Sequence, residues 1–329
     1  MLHSETIVAH AREAGFPLAG LTRAEPLGGG PLARWLSSGM HASMGWIASR
    51  VEERLDPRRI LPEAKSVLAL GCCARHSEQP ADSAIALYAQ GRDYHATLRD
   101  RLRALRRRLE PLGVRGYAEV DTGPVLEKVW AMRAGLGWLG KSGMLVTQEH
   151  GTRALLAVML LDAEVDAYDA PHPDRCGSCV ACVEACPTRA IVVPGVVDAR
   201  LCLSYQTIED RGAYSQKLRP HARLAFGCDA CQTVCPWNAP GHACDDARFV
   251  PRPVARLSLL ELALLTPERF VELTRGTAVA RAKYAGLRRN ALVAMGARRD
   301  PRVVEARALV DDADATVSAA ARWAVDAVS

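Results

Sequence analysis

Apolar and polar positions divide the chain into three stretches of different texture. Ile7, Val8 and Ala11 recur at helical spacing within residues 6–14 and predict a helix there. Residues 17–21 and 64–71 are short apolar runs that read as strands, the second ending in a glycine. Residues 94–112 predict a helix with Arg101, Arg103, Arg106, Arg107 and Arg108 spread all round it, a solvated pattern. Residues 116–121 form another candidate strand, 125–134 a helix, and 154–161 a further apolar strand. Pro124 suits the first position of the second of these helices, with Asp121 or Thr122 as its cap. Strands and helices alternating in this way predict an α+β or α/β domain over residues 1–165.

Residues 162–175 are polar and contain proline, as a linker does, and a cysteine-rich stretch follows. Together they suggest a second domain over residues 166–250. Residues 251–329 return to helical spacing, with candidate helices at 284–295, 303–310 and 316–328. The spacing fits one and a half HEAT-type units, or a plain helical cap, equally well.

The 329 residues suffice for two ordinary domains or one large one with an insertion. At 49% hydrophobic and 24% charged, the chain has ample material for a core and is not disordered. Its apolar runs fall far short of the ~20 residues of a membrane span, so no membrane partner is expected. The start, Met1-Leu2-His3-Ser4, has neither the basic flank nor the apolar segment of an export signal, which predicts a cytoplasmic location. A net charge of +5 permits an anionic partner without requiring one.

The cysteines change this picture. Of eleven, nine fall between Cys176 and Cys244, and clustering of that kind in a reducing compartment reads as metal binding. Cys72 and Cys73 end a strand and read as small buried residues. Cys176, Cys179, Cys182 and Cys186, with Pro187 after the last, form C-x₂-C-x₂-C-x₃-C-P, the bacterial run for [4Fe–4S] clusters. Three thiolates wrap one cube and the fourth points to a second cube. A zinc tetrahedron would leave such an unbroken run unexplained. A second run, Cys228, Cys231, Cys235 and Pro236, supplies three more thiolates. Exchange between the runs assigns Cys176, Cys179, Cys182 and Cys235 to one cluster, and Cys186, Cys228 and Cys231 to the other. The eighth ligand is open between Cys202 and Cys244, with Cys202 favoured by its position between the runs.

Gly135-Leu136-Gly137-Trp138-Leu139-Gly140-Lys141 follows a helix rather than opening one, so it is not a nucleotide-phosphate fingerprint. Taken with Val120-Asp121-Thr122-Gly123-Pro124, Gly91-Arg92-Asp93-Tyr94-His95, both cysteine runs, Leu203-Ser204-Tyr205-Gln206-Thr207 and the ending Cys235-Pro236-Trp237-Asn238, it resembles epoxyqueuosine reductase over roughly the whole chain. The chain departs from the family pattern at Ser142-Gly143-Met144-Leu145 and in its C-terminal repeat.

The resemblance implies a cobalamin-binding domain like that of reductive dehalogenases, followed by a ferredoxin-like domain with two [4Fe–4S] clusters and a helical region. It implies reduction of epoxyqueuosine at a tRNA wobble position to queuosine, with electrons from an external donor passing through the clusters to cobalamin. It also implies Asp121 as proton donor, kept protonated by desolvation beside the corrin. Asp121, Gly137, Gly140, Lys141, Ser142 and Leu145 are the implied cobalamin contacts. His95 is either a cobalt ligand or a packing residue behind the site. Arg281, Lys283, Arg288, Arg289, Arg298, Arg299 and Arg302 gather at the C-terminal helices, as tRNA-phosphate contacts or as a solvated face. A monomer is the expected state. A dehalogenase-like cobalamin reductase and a two-cluster electron carrier are the alternative functions.

Overall fold

The computed structural model describes residues 2–238 and 245–329, so Cys244 lies outside the described residues. Its strands in the first half of the chain are β1 (Leu18–Arg23), β2 (Ser66–Cys73), β3 (Gly116–Glu119), β4 (Trp138–Leu139), β5 (Leu145–Val146) and β6 (Ala154–Leu161). Four of them form one sheet in the order β1-β2-β6-β3, and β4 pairs with β5 in a separate hairpin. Every ladder of the four-stranded sheet is antiparallel, so this part is α+β rather than wound from βαβ units. Alternating strands and helices along a sequence do not fix strand direction, because a crossover and a long antiparallel return look alike.

All eight residues of β2 are buried, because both faces of the sheet are covered. Leu68, Leu70 and Cys72 pack with Ile7 and Ala11 of the helix Ser4–Glu13 and with Leu98, Leu102 and Leu105 of the helix Tyr94–Leu109. Val67 packs with Trp130, and Ala69 with Ala131, both on the helix Glu127–Arg133. The two-residue period of a strand makes this division. The last helix lies so close to β1 that a Cβ at Gly20 would fall 2.1 Å from the carbonyl oxygen of Ala134. Cys72 and Cys73 are buried, as small core residues.

Two local expectations are corrected. The helix Tyr94–Leu109 is not charged all round: Leu98, Leu102, Leu105 and Leu109 form a buried stripe, and Arg101 is buried beside them in an ion pair with Asp246. Apolar spacing of four and three residues carried that signal beneath the run of arginines. Pro124 does not open a helix; the helix starts at Glu127 with no side-chain cap, so neither Asp121 nor Thr122 caps it.

Apolar packing runs across residue 250. Phe249 lies in the core of the sheet. The helices Tyr284–Arg298 and Ala315–Val328 share a core with Ile85, Leu203 and Phe226. The segment expected as a helix at 303–310 is the 3-10 helix Pro301–Asp311, with the Asp300 carboxylate accepting the Arg302 N–H. Among the described residues no helix is long and apolar enough to cross a membrane.

Two of the C-terminal arginines are structural rather than phosphate-facing. Arg289 is 1% exposed and donates to the carbonyls of Gln206 (2.9 Å), Asp210 (3.1 Å) and Gly212. Arg288 is also buried, donating to the Ala263 carbonyl and pairing with Asp312. A buried guanidinium needs that many acceptors, and a sequence does not show where they will be. Lys283, Arg298 and Arg299 remain exposed, Arg281 pairs with Glu209, and Arg302 with Asp300. Arg289→Met is expected to lower stability by about 3 kcal/mol, since several charge-assisted bonds are lost together. Urea unfolding checks this, and an unchanged midpoint would show that Arg289 does not tie the C-terminal helix to residues 206–212.

Candidate active site and thiolate groups

The structure sorts the cysteines by neighbourhood. The charged neighbours of Cys182 are Cys176, Cys235 and Cys179, and burial together with their negative charge raises its thiol. The nearest charged neighbours of Cys231 are Cys228, Cys202 and Cys186, with Cys182 beyond; burial and these neighbours push Cys231 up to about 12. Cys228, beside Cys202 and Cys186, is pushed up to about 11 mainly by burial. Four thiolates this close repel one another unless a cationic group binds them, which is the chemistry of an iron–sulfur ligand set. The eight cysteines of these two groups are free thiols.

The two groups differ in placement. A cavity of about 530 Å³ is lined by Cys186, Cys202, Cys228 and Cys231, together with Tyr94, Asp121, Glu127, Lys128 and Ser142. The other four cysteines do not line it, and Cys179 among them is exposed. The second group is therefore the inner one.

Asp121 lies two residues beyond the end of β3 and holds a left-handed backbone, φ 56°. Such a conformation costs an aspartate on the order of 1 kcal/mol and persists where neighbours enforce it. Here the enforcing contacts are plain. The Asp121 N–H donates to Glu127 Oε1 at 2.6 Å, and Asp121 Oδ2 accepts from the Tyr94 hydroxyl and bonds His95 Nε2, both at 2.9 Å. His95 is aimed by Asp93, which caps the helix Tyr94–Leu109, accepts the His95 N–H and bonds His95 Nδ1 at 2.8 Å. Tyr94 stacks on the imidazole at 4.0 Å between centroids. Both imidazole nitrogens are thus engaged by carboxylates.

The charges follow from these contacts. Burial pushes the Asp121 carboxyl up, but the His95 bond and charge and the Tyr94 bond outweigh it and hold the group below its ordinary value. Burial opposes the His95 imidazolium, but bonds to Asp121 and Asp93 outweigh it and raise His95 to about 9. Against the expectation from desolvation alone, the contacts within the chain favour an ionised Asp121 and a protonated His95. Half of the Asp121 side chain counts as exposed, yet that surface faces the cavity, so its surroundings are those of a cleft. Glu127 behaves as Asp121 was expected to, burial pushing it up to about 7. Lys128 donates to the Gly143 carbonyl at 2.8 Å, and burial lowers its pKa.

Of the implied cobalamin contacts, Asp121 and Ser142 line the cavity. Gly137, Gly140, Lys141 and Leu145 lie in the β4–β5 hairpin outside its lining. Leu145 is buried, and Lys141 donates to the Gly177 carbonyl at 2.6 Å. Sequence reasoning missed Glu127 and Lys128, which read as the polar start of a helix. It also missed Trp138, whose partner lies 38 residues away.

Because His95 sits near 9 in the folded chain against an ordinary 6.5, its stabilisation is complete below pH 6.5 and is lost as pH rises through about 9. Thermal midpoints measured from pH 6 to 10 should fall more steeply for the unmodified protein than for His95→Gln. Equal slopes would contradict the ion pair.

Residues 175–238 match the family described as a 4Fe-4S double cluster binding domain, and residues 54–122 that described as epoxyqueuosine reductase QueG, DUF1730. The chain is 40% identical over 296 residues to the epoxyqueuosine reductase of Cellulophaga algicola, covering 88% of this chain and 96% of that one. It is 37% identical over 303 residues to that of Escherichia coli strain K12, covering 86% and 78%. An epoxyqueuosine reductase crystallised with a modified tRNA-Tyr stem loop superposes with a TM-score of 0.91 at 29% identity, covering 98% of this chain and 89% of that one. The Bacillus subtilis enzyme, solved with its catalytic aspartate loop swung out of the active site, gives 0.89 at 27% identity, covering 98% and 90%. A catabolic reductive dehalogenase variant, 16% identical with a TM-score of 0.50, covers 88% of this chain and 37% of its own, and shares the fold. With relatives this similar along nearly its whole length, and with a double-cluster segment carrying seven of the eight predicted thiolates in two runs, the chain is an oxidoreductase that belongs to the epoxyqueuosine reductase family.

Proposed function

We propose that this chain reduces epoxyqueuosine at the wobble position of a tRNA anticodon to queuosine, with Asp121 delivering the proton to the departing oxygen. The observation that carries this reading is that Asp121 and the inner four cysteines line one cavity. The cofactors of the family are two [4Fe–4S] clusters and cobalamin, held here by Cys176, Cys179, Cys182 and Cys235, by Cys186, Cys202, Cys228 and Cys231, and by the cavity. When bound, these groups supply the two electrons, taken one at a time from an external donor. A flat macrocycle with an amide rim needs apolar walls and polar edges. Leu155, Leu156 and Met144 provide the former, and Ser142 and the Gly143 backbone the latter. Gly137, Gly140, Lys141 and Leu145 support that edge from the hairpin.

Loss of an epoxide oxygen as water takes two electrons and two protons. The oxygen leaves poorly as an alkoxide, so a positioned acid is worth about 10²–10⁴-fold. Asp121 rests ionised, and its proton arrives from His95 across the 2.9 Å bond between His95 Nε2 and Asp121 Oδ2. Tyr94, whose ionisation burial suppresses, stays a donor and fixes the carboxylate. Glu127 is the second proton-bearing group at the cavity. A relative whose catalytic aspartate loop swings out supports a mobile role for the Asp121 turn.

The solved complex of a relative with a tRNA stem loop supports the same substrate class here. Lys283, Arg298 and Arg299 offer exposed positive charge for phosphates, and Arg281 joins this face to the site, since its charge also helps hold Asp121 ionised. A splayed-out wobble base would enter the cavity, as chemistry on a base requires. In this reading residues 1–165 bind the corrin, 166–250 the clusters and 251–329 the RNA, and the protein works as a cytoplasmic monomer.

Asp121→Asn is expected to retain full iron and to lose turnover by about 10²-fold or more; full activity would remove Asp121 from the mechanism. Cys202→Ala is expected to lose one cluster, about four irons of eight, by iron analysis. Nucleosides of tRNA from a deletion strain are expected to accumulate the epoxide. Normal queuosine there would favour a dehalogenase-like reductase or an electron carrier.

A further inference from the structure

One buried arrangement near the cysteines plays no part in the proton chemistry. We infer that Trp138 is a positioning residue for the outer [4Fe–4S] cluster, its indole N–H bonding the Cys176 thiolate and raising that cluster's reduction potential. This rests on the reading that Cys176, Cys179, Cys182 and Cys235 hold a cluster.

The geometry is built from both ends. Trp138 is buried, 2% exposed, and its Nε1–H donates to Cys176 Sγ at 3.3 Å. The ring meets Trp237 edge-on, 4.8 Å between centroids at 75°. Trp237 stands two residues after Cys235, so one indole touches the segments carrying the first and last ligands of the group. Its own place is set by the β4–β5 hairpin, where Trp138 pairs with Val146. The same hairpin reaches the cysteine loop twice more. Lys141 Nζ donates to the Gly177 carbonyl at 2.6 Å, and a Cβ at Gly140 would stand 3.7 Å from Cys176 Sγ. The glycine-rich motif thus forms a wall for the cysteine loop.

Reduction of a cluster places negative charge on its ligand sulfurs. An N–H aimed at one of those sulfurs favours the reduced state, and hydrogen bonding to sulfur is among the levers that set cluster potentials. The indole is donor-only and keeps its proton at all working pH values, so the effect is fixed. Burial excludes competing water and strengthens the bond. In the inner group, Cys186 accepts a backbone N–H, that of Ala190 at 3.2 Å, which a side-chain substitution leaves in place. The outer group carries the exposed Cys179, so it is the one open to an external electron donor. A raised potential there eases acceptance of the first electron.

The test is an anaerobic redox titration of the full cluster-loaded chain, followed by electron paramagnetic resonance. Trp138→Phe keeps a ring and removes the donor. The expected result is a negative shift of one midpoint, with the other unchanged and iron content intact. Two unchanged midpoints with full iron would overturn the inference while leaving the two-cluster reading standing. Protein that holds no second cluster even unmodified would instead defeat that underlying reading. Should Trp138→Phe fail to fold, the unmodified protein labelled with ¹⁵N-indole tryptophan decides: the reduced outer cluster should show hyperfine coupling to one indole nitrogen, and its absence overturns the inference.

Discussion

Two cysteine runs that lie some fifty residues apart each lend one thiolate to the other's group, and the placement of the active cavity depends on that exchange. Cys235 stands with Cys176, Cys179 and Cys182, while Cys186 stands with Cys202, Cys228 and Cys231. The crossing draws residues 176–186 against 228–235 and turns the inner four sulfurs towards Asp121. Uncompensated, these thiolates repel; iron–sulfur cubes bound between them would tie the segments together. The C-terminal helices reinforce the arrangement, because Arg289 and Asn290 donate to backbone carbonyls of residues 206, 207 and 225.

Opposite the sulfurs, a second constraint governs the proton. Asp121 is held in a left-handed turn by Glu127, Tyr94 and His95. The same contacts that hold its position also set its charge. The His95 imidazole lies 2.9 Å from that carboxylate, within reach of direct proton exchange. Glu127, half-buried beside it and pushed up to about 7, gives the site a second carboxyl of opposite tendency.

The legible parts of the sequence were those whose chemistry is local. Cysteine spacing announces iron–sulfur ligation, and the exchange rule proposes the partition. The strands at β2 and β6 were visible because a fully buried strand is an unbroken apolar run. What escaped depended on distant partners. Arg288 and Arg289 looked like an RNA-facing pair, since nothing local foretells that acceptors at 206–212, 263 and 312 will surround them. Pro124 suggested a capped helix, but the backbone turns at Asp121 first, enforced by a glutamate six residues on. Desolvation of Asp121 was foreseen correctly as a force. Its defeat required His95, whose reach across 26 positions only the fold reveals. The Gly137–Lys141 motif is conspicuous in sequence, yet its contacts run to the cysteine loop as well as towards the cavity edge.

The crossing of thiolates is tested most directly by iron and spectroscopic analysis of Cys186→Ser prepared without oxygen. If the runs exchange ligands, this variant loses the inner cluster, keeps about four irons per chain, and the surviving cluster retains the spectrum of the outer one. Survival of the inner cluster with loss of the outer would mean that each run serves its own cube, and the account built on the exchange would be wrong.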